Sequence, residues 1–567
     1  MITITIGGEA GQGLVTVGQL LAKSLVRSGY YIVVTQSYMS RVRGGHNTYS
    51  IRISDRPIEA PRETINLLVA LTEETIAVHR HEVAAAGVMV ADQQFVAAAD
   101  DSRLIGVPFA ELAASKYENI AALGVVASLL GLDEQRVGTA LESFFGKQKA
   151  AVTTANREVL AKAWRWAGRH RAPDCRLPPV QSPAGRLMIN GNEAIALGAL
   201  SAGLKFCAYY PMTPATSICI NLIARADAMG VLVEQAEDEI AAVNMAVGAS
   251  FAGAPAMVAT SGGGFALMEE GVSLAAMTET PLVIAVAMRP GPATGLPTRT
   301  AQEDLNLVLY AGHGEFPRAV FAPGSVEECF FLTRQAYAMA EQSQGPIFLL
   351  TDQFLADSYR SVTPFPVAEL ESVAPLLERP PAGKDYKRYQ LMVSGVSPRL
   401  APGMTDCLVV ADSDAHTEDG HLTEDLTAAR EQADKRARKM SVLREQVVAP
   451  EYAGPSQPKV LLVCWGSSKA AVFEVVEMMN HAGETWAALA FSQVWPLVPE
   501  QFCHWLQEAG EVISVEGNAE GQFGRLIQQE AGLTIDRHLG RYDGLPITPD
   551  FIIRQFDKLQ EAAGRGR

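Results

Sequence analysis

MITITIGGEAGQGLVTVGQLLAKSLV, residues 1–26, alternates β-branched residues as far as Ile6, breaks into Gly7, Gly8, Gly11 and Gly13, and resumes from Leu14 to Val26 with apolar side chains at helical spacing. This is a strand, a glycine turn and a helix, the unit from which open α/β sheets are built. Further strand-like runs at Tyr31–Thr35, Tyr49–Ile53, Leu67–Ala70 and Val88–Ala91 alternate with helical stretches and predict an open, mostly parallel sheet. The turn spells GxxGxG, not the GxGxxG dinucleotide fingerprint. Two readings of it stand: Gly8, Gly11, Gln12 and Gly13 cradle a phosphate-bearing ligand such as a nucleotide or coenzyme A at a helix N-terminus, or they close a tight turn. Downstream, SRVRGGHN at Ser40–Asn47 sets Arg41 and Arg43 beside a glycine pair, and guanidinium forks suit phosphate or carboxylate.

The rest of the 567 residues divides by composition. A first α/β domain is expected over 1–163, then an Arg- and Pro-rich linker over 164–186. A second α/β domain follows over 187–355, with strands expected at Lys205–Tyr209, Val231–Val233, Ala256–Ala259, Leu282–Val286, Ala319–Ala322 and Ile347–Leu350. Residues 356–457 are looser and read as a covering insertion with a charged helix over Ala428–Gln446. A third α/β domain is expected over 458–567.

With 47 Lys+Arg against 63 Asp+Glu, the formal charge is −16, which repels a phosphate backbone and excludes nucleic acid as the natural partner. The seven cysteines stand singly, with no CxxC pair, so zinc or iron–sulfur ligation by this chain is not expected. No apolar run reaches spanning length and the chain opens on a strand pattern, so a cytoplasmic protein without a membrane role is expected. The acidic run Asp412–His421 has metal-capable side chains but reads as a solvated loop, and no metal is assigned.

The second domain carries the densest motifs. YPMTPAT at Tyr210–Thr216 presents the Thr213 hydroxyl from a Pro-stiffened loop at a strand end, where open α/β sheets bind ligands. EDEIAAVNMAVGAS at Glu237–Ser250 starts a small, apolar helix with Glu239 at its first turn. The spacing ExxAxxMAxG points one carboxylate into a packed site; an exposed Glu complementing the helix dipole is the alternative. Such a helix is expected to be closely buried. ATSGGGF at Ala259–Phe265 and RPGPATGLPTRTAQEDL at Arg289–Leu305 add glycine and proline loops after successive strands. A carboxylate, a hydroxyl and guanidiniums on one sheet edge point to an anionic substrate.

Together these motifs resemble the α subunit of the 2-oxoacid:ferredoxin oxidoreductases, with the family's γ domain fused at the N-terminus, over nearly the whole chain. The resemblance implies three domains: γ-type, thiamine-diphosphate pyrimidine-binding, and transketolase-C-terminal-like, the last over Leu461–Phe556 with Glu516-Gly517-Asn518 and Gly521-Gln522 after a strand. In the family the glutamate aligned with Glu239 contacts N1′ of the aminopyrimidine and favours the imino tautomer, so that the thiazolium carbon can lose its proton. It further implies Tyr210, Pro211, Thr213, Ser261 and Gly262 against the cofactor. Thr213, Thr298, Arg299, Arg289 and His313 are implied against the substrate, with Arg299 pairing its carboxylate. Gln302 and Asp304 would orient that loop. Met212 stands where the family usually has Ile, and Gly263 where it usually has Pro.

The magnesium-diphosphate signature, GDG with a distant Asn, is absent from the sequence. The resemblance therefore implies a β subunit carrying Mg2+, the diphosphate half of thiamine diphosphate and [4Fe-4S] clusters, with ferredoxin as electron acceptor and coenzyme A as co-substrate. A dimer of αβ heterodimers is expected. The fused γ–α order and AGHGEFPR at Ala311–Arg318 resemble the 2-oxoglutarate branch, with pyruvate or a branched-chain 2-oxoacid as alternatives. A dicarboxylate needs two cationic anchors, for which Arg289, Arg299, His313 and Arg318 are candidates. A noncatalytic acidic scaffold that holds a nucleotide or acyl-coenzyme A is the reading from another class.

Overall fold

The computed structural model describes residues 1–40, 44–96, 101–146, 150–170, 175–180, 185–373, 375–377 and 386–565. It divides into two compact units, Met1–Ile189 with Asp357–Phe365 and Thr548–Asp550, and Asn190–Ala356 with Pro366–Ile547 and Phe551–Arg567.

The first unit is built on β1 (Ile2–Glu9), β2 (Tyr31–Ser37), β3 (His46–Ser54), β4 (Ile65–Ala70), β5 (Val83–Asp92), β6 (Leu104–Val107) and β7 (Leu187–Ile189). Arg360–Val362, which is β14 in chain order, completes an eight-stranded sheet of order β6-β5-β4-β1-β3-β2-β14-β7. The β1–β4, β4–β5 and β5–β6 pairs are parallel, as the alternating pattern predicts. The other half, β1–β3–β2–β14–β7, is antiparallel throughout, so the parallel pairing expected for this sheet holds only on its β1 to β6 side. The segment between β2 and β3 is too short for the crossover that parallel pairing requires. Ile4, Ile6, Leu20, Leu21, Tyr49 and Leu123 are fully buried in its core. Arg62 grips both carboxylate oxygens of Asp550 at 2.9 and 2.8 Å, so the late segment is held by a bidentate pair.

The second unit holds two sheets. In the larger, β8 (Phe206–Tyr209), β9 (Leu232–Gln235), β10 (Ala256–Thr260), β11 (Leu282–Met288), β12 (Ala319–Phe321) and β13 (Pro346–Asp352) run parallel. The smaller contains β15 (Glu451–Ala453), β16 (Val460–Trp465), β17 (Trp486–Phe491), β19 (Val512–Glu516) and β20 (Arg537–Gly540), parallel except for β15. β18 (Gln493–Trp495) leaves the smaller domain and adds an antiparallel edge to β12. Every residue of β10, β11 and β13 is buried, which explains their unbroken apolar runs: helices cover both faces.

The insertion is observed in more detail than its pattern predicts, and one expectation changes. The charged helix, observed over Leu426–Arg444, buries Lys435 and Lys439, whose ammonium groups stand 2.7 and 2.6 Å from the fully buried carboxylate of Glu279. Arg388 donates to the Glu279 carbonyl at 2.6 Å. The acidic run is not wholly solvated: His416 is fully buried and lies tilted against Tyr389 with ring centroids 4.0 Å apart. Charge patterning alone hid both, because a buried ionic cluster has the same composition as a solvated face. Among the described residues no group of three or more His, Cys, Asp or Glu could hold a metal, and no helix is long and apolar enough to cross a membrane.

Candidate active site

Four successive loops meet at the carboxyl edge of the larger sheet. After β9, Asp238 caps the helix Glu239–Phe251 by accepting from the Ala241 N–H at 2.7 Å. The cap fixes Glu239 in the first turn with its side chain turned inward, 3% exposed. This favours the packed carboxylate over the dipole-complementing one. Its Oε1 is buried and has no hydrogen-bond partner. Burial pushes the carboxyl up from its ordinary value; its own backbone N–H opposes the shift and Asp238 adds to it. The helix is buried on one face only: Ala242, Val243, Ala246 and Val247 pack inward, while Ile240 and Met245 are exposed at 49% and 38%.

After β10 comes the turn Ser261–Gly264. A Cβ on Gly264 would stand 2.3 Å from Glu239 Oε1 and 2.3 Å from Thr260 Oγ1, so the glycine leaves the room that the carboxylate occupies in this position. Ser261 is fully buried and its hydroxyl also lacks a partner. Gly262 plays the same part for a second acid: its Cβ would lie 2.3 Å from Asp304 Oδ2, a buried atom without a hydrogen-bond partner.

The loop after β8 carries Tyr210 and Pro211, both exposed, and Thr213, whose bond to Pro214 is cis. Arg289, at the end of β11, donates from Nη1 to the Thr213 carbonyl at 2.8 Å. From below, the fully buried Asn192 donates to the Pro214 carbonyl at 2.8 Å and to Ser217 Oγ at 2.7 Å. Asn192 has little signal in the sequence, an amide next to Glu193 at the start of a mostly small and apolar helix, Gly191–Ser201.

The remaining predicted residues lie on the loop after β11. Thr298 and Arg299 are half-buried, and Arg299 packs where a Cβ on Gly544 would meet its own Cβ at 3.0 Å. Thr300 Oγ1 accepts from the Phe354 N–H at 3.2 Å, which ties the loop to the end of β13. Gln302 exchanges bonds with Gly517 at 2.7 Å in both directions and donates to the Trp465 carbonyl at 2.9 Å. Glu516 accepts from Trp465 Nε1 and from the Phe523 and Gly524 N–H groups, so it caps a helix inside the smaller domain. His313 sits on an exposed turn, its N–H on Ser273 Oγ. Arg318 is not available as a carboxylate anchor: it is buried and donates to the Val308 and Ala311 carbonyls. The structure thus gathers Glu239, Ser261, Gly262, Thr213, Arg289 and Asp304, with Asn192 and Gly264 as additions.

In the first unit, Gly13 takes a left-handed conformation at φ 73° where the glycine turn enters the helix Leu14–Arg27. Gly11, Gln12 and Gly13 line a cavity of about 400 Å³ together with Lys116 and Asn119. Gly8 is the glycine through which Gln12 approaches β1, since a Cβ there would meet Gln12 Oε1 at 2.6 Å. Arg41 and Arg43 lie outside the described residues. His46, from the same motif, pairs Nε2 to Nε2 with His79 at 2.8 Å, and His79 Nδ1 meets Glu82 at 2.5 Å.

Two family models match the chain: pyruvate ferredoxin/flavodoxin oxidoreductase over residues 3–166, and the thiamine-diphosphate-binding pyruvate flavodoxin/ferredoxin oxidoreductase domain over 197–439. The fold and these family models define an α/β oxidoreductase subunit of the thiamine-diphosphate class. Subunit alpha of 2-oxoacid:ferredoxin oxidoreductase 2 from Aeropyrum pernix is 30% identical over 96% of each chain. The 2-oxoglutarate synthase subunit KorA of Archaeoglobus fulgidus is 32% identical over 65% of this chain and 97% of its own. The solved 2-oxoglutarate:ferredoxin oxidoreductase of Magnetococcus marinus, with 2-oxoglutarate, coenzyme A and succinyl-CoA bound, superposes with a TM-score of 0.92 at 27% identity, covering 98% of this chain and 99% of that one. The chain belongs to the 2-oxoacid:ferredoxin oxidoreductase α-subunit family.

The residues present are of a kind to fit thiamine diphosphate: Glu239 Oε1 and Ser261 Oγ are buried polar atoms without a hydrogen-bond partner, beside a turn whose glycines add no side chain.

Proposed function

We propose that this chain is the α subunit of a coenzyme A-dependent 2-oxoglutarate:ferredoxin oxidoreductase. The reaction converts 2-oxoglutarate and coenzyme A to succinyl-CoA and CO2 and passes two electrons, one at a time, to ferredoxin. The observation that carries this reading is the orphaned Glu239 Oε1 against Gly264, the carboxyl that an aminopyrimidine nitrogen would complete. The cofactor, when bound, supplies a thiazolium carbon that stabilises negative charge at the substrate's keto carbon.

This chain's own residues have separate tasks. Glu239, its proton affinity raised by burial, holds and returns a proton at the pyrimidine nitrogen. Tyr210, Pro211, Ser261 and Gly262 flank the ring. Thr213 faces the substrate, and Arg289 and Arg299 provide the two cationic anchors a dicarboxylate requires, with Thr298 and His313 at the edge of that site. The glycine turn of the first unit, Gly8, Gly11, Gln12 and Gly13 with Arg41 and Arg43, is the proposed coenzyme A site, supported by the cavity that the turn lines. In domain terms, 1–163 is the γ-type domain, 164–186 the linker, 187–355 the pyrimidine-binding domain, 356–457 the insertion and 458–567 the transketolase-C-terminal-like domain.

A cytoplasmic β subunit holds Mg2+, the diphosphate and the [4Fe-4S] clusters, in a dimer of αβ heterodimers. The exposed Ile240 and Met245 on the helix that carries Glu239 support a partner at this face. The test is coenzyme A-dependent dye reduction by the reconstituted pair with 2-oxoglutarate, pyruvate and branched-chain 2-oxoacids. Turnover with 2-oxoglutarate foremost, and none by the lone chain, is expected; equal or better turnover of pyruvate rejects the substrate assignment.

A further inference from the structure

Asp304 is an aspartate in an unusual position. It stands at the N-cap of the short helix Leu305–Leu309, where Asp normally accepts a backbone N–H, yet its side chain makes no capping bond. The carboxylate is turned instead onto Gly262, where the lack of a Cβ admits it, and Oδ2 is buried without a hydrogen-bond partner. A carboxylate left like this is unfavourable when ionised unless a cation or a proton compensates it. The nearby cation is Arg289, whose Nη1 is already engaged by the Thr213 carbonyl.

The surroundings favour the proton. Burial raises the acid to about 6, Glu303 in its own loop adds to the shift, and Arg289 from the end of β11 opposes it. The turn beneath offers only the neutral Ser261 and Gly262, with Glu239 on its far side at Gly264. The helix Gln522–Ala531 presents the neutral Gln522, which accepts from the Asn306 N–H and donates to the Glu303 carbonyl. A substrate carboxylate arriving at Arg289 adds a negative charge and cancels the one group that favours ionised Asp304. One proton must then be held or taken from solvent.

We propose that Asp304 is a positioning residue that acts as an acid: it takes up one proton as the carboxylate of a 2-oxo acid pairs with Arg289, so that substrate recognition and protonation of Asp304 are coupled. The inference rests on the reading of this site as a 2-oxoacid site. Once Asp304 is protonated, Arg289 faces the substrate with its charge undivided and the second carboxylate no longer repels it.

The experiment uses the reconstituted pair and the preferred 2-oxo acid. For the wild type, KM rises as pH increases above about 6, by up to about tenfold per pH unit where binding requires the protonated acid, while kcat changes little. In Asp304→Asn this rise disappears, and at pH 8 the variant binds substrate at least as tightly as the wild type. Calorimetry of the wild type at pH 7 in two buffers of different ionisation enthalpy provides a readout that survives a poorly folding variant: net proton uptake on substrate binding is expected. An unchanged KM profile in a folded Asp304→Asn pair, or no proton uptake by the wild type, overturns the proposal. Absence of turnover with every 2-oxo acid would overturn the site reading itself, a different failure.

Discussion

Glu239 Oε1 lies where a methyl on Gly264 would be 2.3 Å from it, and the two residues come from different loops of one sheet edge. The carboxylate owes its buried position to the absence of a side chain 25 residues further along the chain (239 to 264). Gly264→Ala should therefore displace Glu239 or the turn. Overpacking of this kind destabilises by about 1–3 kcal/mol. A thermal melt reads that loss, and thiamine-diphosphate affinity of the reconstituted pair should fall by about tenfold or more.

Glu239→Gln separates chemistry from folding. Turnover should drop by about 10²- to 10⁴-fold, the range for loss of a general acid–base group, with assembly retained. The folded state raises the carboxyl above its ordinary value. Stability from this group is thus fully present below that ordinary value and is lost as pH rises through the folded one. The glutamine, which never ionises, should leave the protein at least as stable as the wild type at pH 8, checked by denaturant melts at pH 5 and 8.

The buried cluster that Glu279 forms with the lysines of the insertion has the opposite pH signature. Burial alone would raise Glu279, but Lys439, Lys435 and Arg388 together draw it down to about 2. Its stability contribution is present above about pH 4.5 and is lost as pH falls towards 2. Glu279→Gln leaves two lysines buried without a carboxylate and should cost about 3–5 kcal/mol. A variant that melts within a degree of the wild type at pH 7 would contradict this account.

Gln302 holds the loop after β11 to the smaller sheet through paired bonds with Gly517 and a donation to the Trp465 carbonyl. Gln302→Ala strands the buried Gly517 N–H, at about 1–3 kcal/mol, while the Trp465 carbonyl keeps its bond from the Ser468 hydroxyl. Because Arg299 lies on the same loop, KM for the 2-oxo acid should rise more than kcat falls. Steady-state kinetics after confirming the fold by circular dichroism provides the check.

Much of this site was legible before any coordinates. Strand ends followed by glycine or proline fixed which loops share an edge, and the family resemblance assigned Glu239 and Thr213 their neighbourhood. Gly264, Asn192 and Asp304 were not legible as partners of those residues, because their meaning lies in approaches across loops distant in sequence. Arg318 was misjudged for the same reason: a guanidinium beside a glycine-rich turn looks the same whether it awaits a carboxylate or already holds two backbone carbonyls. Lys435 and Lys439 sit in a helix whose charge pattern resembles a solvated one, and only the facing Glu279 distinguishes the two cases.

The sequence by itself determined the α/β class and the glycine and proline loops that follow the strands, because strand alternation, helical spacing and glycine punctuation are local properties of the chain. Tertiary structure alone decided which carboxyls lie buried and unpaired, which cations are already engaged and which face of the Glu239–Phe251 helix stays exposed. Those properties depend on desolvation and on distances of a few ångströms between residues far apart in sequence, and no local pattern records either.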